Sequence, residues 1–266
     1  MKTISILGCG WLGLPLAKSF LNDRFLIKGS TTTKDKIAGL KNSGIQPFLI
    51  SLFEHKIDGT IEEFLENSEI LIIDIPPKFR GDFKENFVAK IQTLIPIIEK
   101  SAVKKVLFVS STSVYSDEIS IVDETTIPNP ETESGKQLLV VENLLLLNKN
   151  FETTIVRFGG LIGEDRNPIR FLSGKKNIEN PNSPINFIHQ NDCIGILKKI
   201  VENDIWNETF NAVAPFHPTR KQYYTQKAIE FELEIPEFNE SNVSIGKIVL
   251  SDKIVKMAQF QFKNSI

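Results

Sequence analysis

Cysteine is scarce in this chain of 266 residues, with only Cys9 and Cys193 present. One lies inside a glycine turn and the other inside an apolar stretch, so both read as small packing residues and not as a disulfide. Nothing in the sequence has metal-ligand spacing. A surplus of positive charge is also missing: the formal net charge is −2, and acidic residues are interspersed among the lysines. That balance excludes nucleic-acid and anionic-membrane binding as the main business of the chain. No run reaches the roughly 18 apolar residues of a membrane span. The first residues already read as strand, with no basic-then-apolar leader, and the expected location is the cytoplasm.

What is present begins at once. Lys2 to Leu7 is an apolar, β-prone run that ends in Gly8-Cys9-Gly10-Trp11-Leu12-Gly13, and a helix-like stretch follows from Leu14 to Leu21. Strand, glycine turn and helix together make G-x-G-x-x-G a dinucleotide fingerprint. Gly8 permits the tight turn, Gly10 lets backbone approach a pyrophosphate, and Gly13 lets the helix pack on the strand. Trp11 and Leu12 lie between them, where free helix-start N–H groups face phosphates. An NAD site usually places a carboxylate at the end of the second strand, to hold the ribose 2′-OH. Here Ser30-Thr31-Thr32-Thr33-Lys34 stand there, and no acid occurs before Asp35. Hydroxyls and an ammonium suit a 2′-phosphate, so NADP is expected over NAD. Ile75-Pro76-Pro77, after the fourth strand, are expected either to wall the cofactor site or only to stop the strand.

The remaining pattern is βαβ. Strands are expected at Phe25 to Ser30, Gln46 to Leu52, Glu69 to Ile75, Val103 to Ser110 and Thr153 to Phe158. Helices are expected near Lys34 to Lys41, Ile61 to Asn67, Phe83 to Lys100 and Gly135 to Leu147. Unbroken apolar strands imply burial on both faces, hence an α/β fold with a Rossmann-type, doubly wound parallel sheet. Residues 164–185 read as loop, Ile185 to His189 as a late strand, and Asp192 as the cap of a helix to about Val201. The expected division is a dinucleotide core (1–163 and 186–213) and a small substrate lobe (164–185 and 214–266).

Val109-Ser110-Ser111-Thr112-Ser113-Val114-Tyr115 follows a buried strand. Together with Asn86, Arg157 to Gly163, Asn186 to His189 and Asp192, it resembles the extended short-chain dehydrogenase/reductase family and its NAD-dependent epimerases and dehydratases. G-x-G-x-x-G, with Leu7 where the usual first glycine stands, and His217 to Arg220 ahead of Tyr223-Tyr224, are similar to the atypical, YeeZ-like branch. The resemblance covers nearly the whole chain. It implies that Ser111 orients a substrate oxygen, that Ser110 borders the cofactor, and that Ser113, Tyr115 and Arg157 border the substrate. It also implies a homodimer as one option, through the helices at about 83–100 and 135–147. The family's Y-x-x-x-K pair is absent. One register puts Ser134 and Leu138 at those positions, and the other puts Thr132 and Lys136 there; neither supplies a phenol.

His189 is a candidate acid or base because it titrates near neutrality, although a strand-end histidine also serves structure. Arg220 is a candidate clamp for a substrate carboxylate or phosphate, or else a packing residue of the lobe. Two readings follow. One is an NAD(P)-dependent reductase, epimerase or dehydratase acting on a small polar carbonyl compound or sugar nucleotide. The alternative is a non-catalytic NADP-binding redox sensor, which the missing tyrosine and lysine favour.

Overall fold

The computed structural model describes residues 2–77, 86–118, 120–264 and 266. Seven strands make one sheet: β1 (Thr3–Leu7), β2 (Leu26–Thr31), β3 (Gln46–Leu49), β4 (Ile70–Ile73), β5 (Lys105–Ser111), β6 (Glu152–Phe158) and β7 (Thr209–Ala212). All neighbours are parallel, in the spatial order β7-β6-β5-β4-β1-β2-β3. Alternate side chains along each strand enter opposite cores. Ile4, Ile6, Ile70 and Ile72 join one core, while Leu7, Leu71 and Ile73 join the other. The helices are α1 (Gly13–Asn22), α2 (Ile37–Asn42), α3 (Ile61–Leu65), α4 (Phe87–Lys100), α5 (Glu133–Leu146), α6 (Gln190–Glu202), α7 (Arg220–Glu230) and α8 (Asp252–Ala258). Leu16 and Phe20 of α1 and Ile196, Leu197 and Ile200 of α6 cover the first face; Ile91 and Leu94 of α4 and Leu138 and Val141 of α5 cover the second. The direction of winding reverses between β1 and β4, which opens a crevice at their carboxyl ends.

Several boundaries differ from expectation. The third strand stops at Leu49, and Ser51–Leu52 turn away to pair antiparallel with Ile57–Asp58. α4 starts at Phe87, where the Asn86 side chain accepts the Ala89 N–H at 3.0 Å; the expected helical residues 83–85 lie outside the described residues. Asp192 does not cap α6. His189 does, and the buried Asp192 carboxylate instead accepts the backbone N–H groups of Lys263 and Asn264, tying down the C-terminal segment.

A third, smaller core of Ile169, Ile185, Tyr223, Tyr224 and Ala228 holds α7 against the 168–187 segment. The chain after it does not remain in that lobe: Ile254, Ala258 and Phe260 pack into the sheet's first core, so α8 belongs physically to the nucleotide core. Among the described residues no helix is long and apolar enough to cross a membrane.

Candidate functional site

The turn after β1 is built for close approach. Gly8 has φ +108°, and a Cβ there would fall 2.3 Å from the Asp74 carbonyl oxygen; a Cβ on Gly13 would fall 2.2 Å from the Gly8 oxygen. Gly10 is different, because a Cβ there would meet nothing within 4 Å. Its bare face opens on the cleft. The Gly8 N–H donates to Ser30 Oγ at 2.9 Å, and the Cys9 N–H to the Ser30 carbonyl at 2.8 Å. The N–H groups of Trp11 and Leu12 have no acceptor among the described residues. Two free donors at the start of α1, beside a glycine with open space, fit a dinucleotide's diphosphate.

A cavity of about 310 Å³ runs from this turn across the ends of β2 and β4, lined among others by Ser30, Thr31, Thr32, Thr33, Lys36, Phe53, Ile75 and Pro76. Ser30 and Thr31 are buried and engaged with backbone, Ser30 as above and Thr31 Oγ1 accepting the Thr33 N–H at 3.1 Å. Thr32, Thr33 and Lys36 are exposed and remain for a ligand. Lys34 does not line the cavity. The turn Lys34–Lys36 is a 3₁₀ helix, which sets those two lysines on different sides, and Lys36 takes the place expected of Lys34. Pro77 likewise falls outside the lining.

Asp74 was not anticipated as a site residue. It is the first charged residue after the unbroken Ile70–Ile73 run, and that position was the available signal. It lines the cavity at the foot of the glycine turn. Burial pushes its carboxyl up to about 8, against the lowering effect of a hydrogen bond from the Gly13 N–H. Burial, with Asp74 nearby, pushes the Cys9 thiol up to about 12.

A second cleft of about 300 Å³ gathers Ser111, Ser113, Asp117, Glu131, Thr132, Gly159, Asn186 and Lys247. Ser111 Oγ accepts the Ser113 N–H at 3.2 Å, which orients the hydroxyl and leaves its own proton without an acceptor among the described residues. Lys247 arrives from the C-terminal segment, another residue without a motif to announce it. Although nine-tenths buried, it donates from Nζ to the Tyr115 carbonyl at 2.7 Å and to Asp117 Oδ1 at 2.6 Å. Asn186 pins that segment, donating to the Lys247 carbonyl at 2.6 Å and accepting the Val249 N–H at 2.9 Å. α5 contributes no phenol or ammonium. Leu138 is buried in the second core, and Ser134 and Lys136 do not line the cleft.

Several of the expected ligand residues have protein partners instead. Ser110 Oγ donates to Glu142 at 2.5 Å, and Arg157 pairs with Glu142 at 2.6 Å while donating to the Tyr115 hydroxyl at 2.7 Å. That hydroxyl donates to Asn211 at 3.0 Å, and burial raises its pKa. Ser110 and Arg157 thus spend their side chains on a buried network and do not line the cleft, whereas Tyr115 lines it with its hydroxyl engaged in that network. His189 does not share the Ser111 cleft. It lines another cavity, with Trp11, Asp165 and Gln190, and its Nδ1 accepts the Asn191 N–H at 3.2 Å. Arg220 is also absent from the cleft and donates to the Glu179 carbonyl at 3.0 Å.

No protein-family model matches the chain. Protein YeeZ of Escherichia coli (strain K12) is 32% identical over 265 residues, covering 99% of this chain and 96% of that protein. Among solved structures, a functionally unknown conserved protein from Silicibacter pomeroyi DSS superposes with a TM-score of 0.80 at 21% identity, covering 99% of this chain and 94% of that one. UDP-glucuronic acid 4-epimerase from Bacillus cereus, in complex with NAD, has a TM-score of 0.81 at 18% identity, covering 99% and 92%.

Proposed function

The chain belongs to the YeeZ-like branch of the extended short-chain dehydrogenase/reductases, and from that premise we propose that it is an NADP-dependent oxidoreductase or epimerase/dehydratase. Its substrate would be a small polar carbonyl compound or a sugar nucleotide, the latter being the class bound by the epimerase of the same fold. The residues that would hold the cofactor are the N–H groups of Trp11 and Leu12 at the diphosphate, and Thr32, Thr33 and Lys36 at a 2′-phosphate. The chemistry such a cofactor supplies is hydride transfer. Two free thiols, both buried, accord with work in the cytoplasm.

The observation that carries the reading is the Ser111 cleft. It lies at the same sheet edge as the glycine turn and brings the Ser111 hydroxyl into one cleft with the buried Lys247 ammonium, which Asp117 holds. Ser111 would donate to the substrate oxygen, and Lys247 would stabilise negative charge developing there. A sensor without turnover is the second reading, and the emptiness of α5 favours it: neither Leu138 nor Ser134 can lower a tyrosine's pKa or replace it.

The experiment is a titration with NADPH and NADH, followed by a carbonyl panel with bound NADPH. Oxidation of NADPH that Ser111→Ala abolishes supports the enzyme. Tight binding with no turnover across the panel supports the sensor, and binding of neither nucleotide overturns both.

A further inference from the structure

An arginine stands beside the glycine turn with its guanidinium stacked on Trp11. Arg166 lies in the loop that follows the short strand Gly160–Ile162. That loop folds back on itself through mutual 3.1 Å hydrogen bonds between the backbones of Gly163 and Arg166. The Arg166 guanidinium sits 5.0 Å from the centroid of the Trp11 ring. It is exposed, and it makes no hydrogen bond or ion pair with any described residue, although Glu164 and Asp165 are its chain neighbours.

Trp11 beneath it is held at its ring by two neighbours and at its backbone by a third. Trp11 Nε1 donates to Asp165 Oδ1 at 2.7 Å, so the nearest carboxylate is engaged by the indole. Gly163 packs so close that a Cβ there would lie 2.8 Å from the ring. The Gln190 side-chain amide donates to the Trp11 carbonyl at 2.6 Å. In a trans peptide the carbonyl and the next N–H point in opposite directions. Gln190 therefore turns the Leu12 N–H away from itself, and that N–H is one of the two free donors of the turn.

We propose that Arg166, stacked on Trp11, clamps the diphosphate of the bound dinucleotide. The proposal rests on the cofactor reading above. A diphosphate brings two negative charges to a turn that offers only the partial charges of backbone N–H groups, with Asp74 at its foot. Lys36 and Lys90 line the cavity that the turn opens on, and the Arg166 guanidinium is stacked on the ring of a residue of the turn itself. Its planar fork matches two phosphate oxygens at once, and the stack on Trp11 orients the fork before the ligand arrives. Gln190 and Asp165 act through Trp11 and are positioning residues.

The test is calorimetric titration of wild type, Arg166→Ala and Arg166→Lys with NADPH at several salt concentrations, with melting of each free protein alongside. Loss of a charge-assisted contact should weaken NADPH about ten- to a hundredfold in Arg166→Ala and flatten the dependence of affinity on salt. Arg166→Lys should recover part of the loss, and the free proteins should melt nearly together, because the exposed guanidinium loses only its stack on Trp11 and no hydrogen bond or ion pair with a described residue. Equal NADPH affinity in wild type and Arg166→Ala overturns the clamp while leaving the cofactor reading intact. So does a weakened affinity with unchanged salt dependence. A wild type that binds neither NADPH nor NADH overturns the cofactor reading itself.

Discussion

Glu142 and Arg157 meet at 2.6 Å with their side chains 1% and 7% exposed, joining α5 to β6 inside the core. Burial alone would pull the guanidinium's pKa down, but the hydrogen bonds and charge of Glu142 reverse that and leave it raised. Ser110 and Tyr115 take up further oxygens and protons of the pair. Removing one partner leaves a buried charge uncompensated, which typically costs ~3–5 kcal/mol. Glu142→Ala is therefore expected to lose about that much in urea unfolding. A loss under about 1 kcal/mol would mean that water reaches the site and the pair is not truly buried.

Asp74 makes stability depend on pH in an unusual direction. Burial pushes its carboxyl up to about 8 in the fold, against an ordinary value of 3.8. Below the lower value both states hold the proton, and the contribution is neutral. Between the two values the unfolded chain ionises while the fold keeps its proton, so stability falls as pH rises and levels off above about 8. Asp74→Asn keeps an acceptor for the Gly13 N–H and should remove the decline. The variant should gain on the order of a few kcal/mol at pH 8 and nothing at pH 4. NADPH affinity should likewise drop in wild type, but not in the variant, as pH passes 8. Cys9, pushed to about 12, stays silent in this window. Parallel melting curves for the two proteins from pH 5 to 9 would refute the assignment.

The fold was legible because its signals are local. Unbroken runs such as Ile70–Ile73 announce strands covered on both faces, and the glycine spacing marks the turn between β1 and α1. The site was legible only where backbone makes it. Ser111 follows from its motif, but Lys247 reaches the cleft from the far end of the chain, and no spacing in sequence reveals that. Arg157 misled for the complementary reason. A charged side chain looks like a ligand contact until a distant partner, Glu142, is seen to hold it. His189 has the chemistry of a catalyst and the position of a helix cap. In the 34–36 turn an offset of two residues exchanged Lys34 for Lys36.

Lys247 both closes the Ser111 cleft and charges it. Lys247→Met preserves much of the apolar stem while removing the donor to the Tyr115 carbonyl, and should cost ~1–3 kcal/mol in urea unfolding. With any carbonyl substrate the panel yields, turnover should fall about a hundredfold, the usual scale for losing one donor to developing charge. Ser134→Ala, outside the cleft, should leave turnover nearly unchanged. Full activity in Lys247→Met would confine the lysine to holding the C-terminal segment in place.

On the proposed cofactor reading, the choice of nucleotide would turn on Lys36. The exposed hydroxyls of Thr32 and Thr33 can donate to either a ribose 2′-OH or a 2′-phosphate, so they discriminate weakly. A positive charge discriminates strongly, because only the phosphate is anionic. Lys36 lines the adenosine-side cavity and Lys34 does not. Lys36→Glu should weaken NADPH by about ten- to a hundredfold, the worth of one charged contact plus the repulsion that replaces it, and leave NADH within a few-fold of wild type. Lys34→Glu changes the net charge by the same amount on the other side of the 3₁₀ turn, and should move neither affinity by more than about twofold at moderate salt. Calorimetric titration of the two variants with both nucleotides separates a local contact from a general field. Equal losses of NADPH affinity in both variants would assign the preference to the field, and a wild type that prefers NADH would remove the 2′-phosphate site altogether.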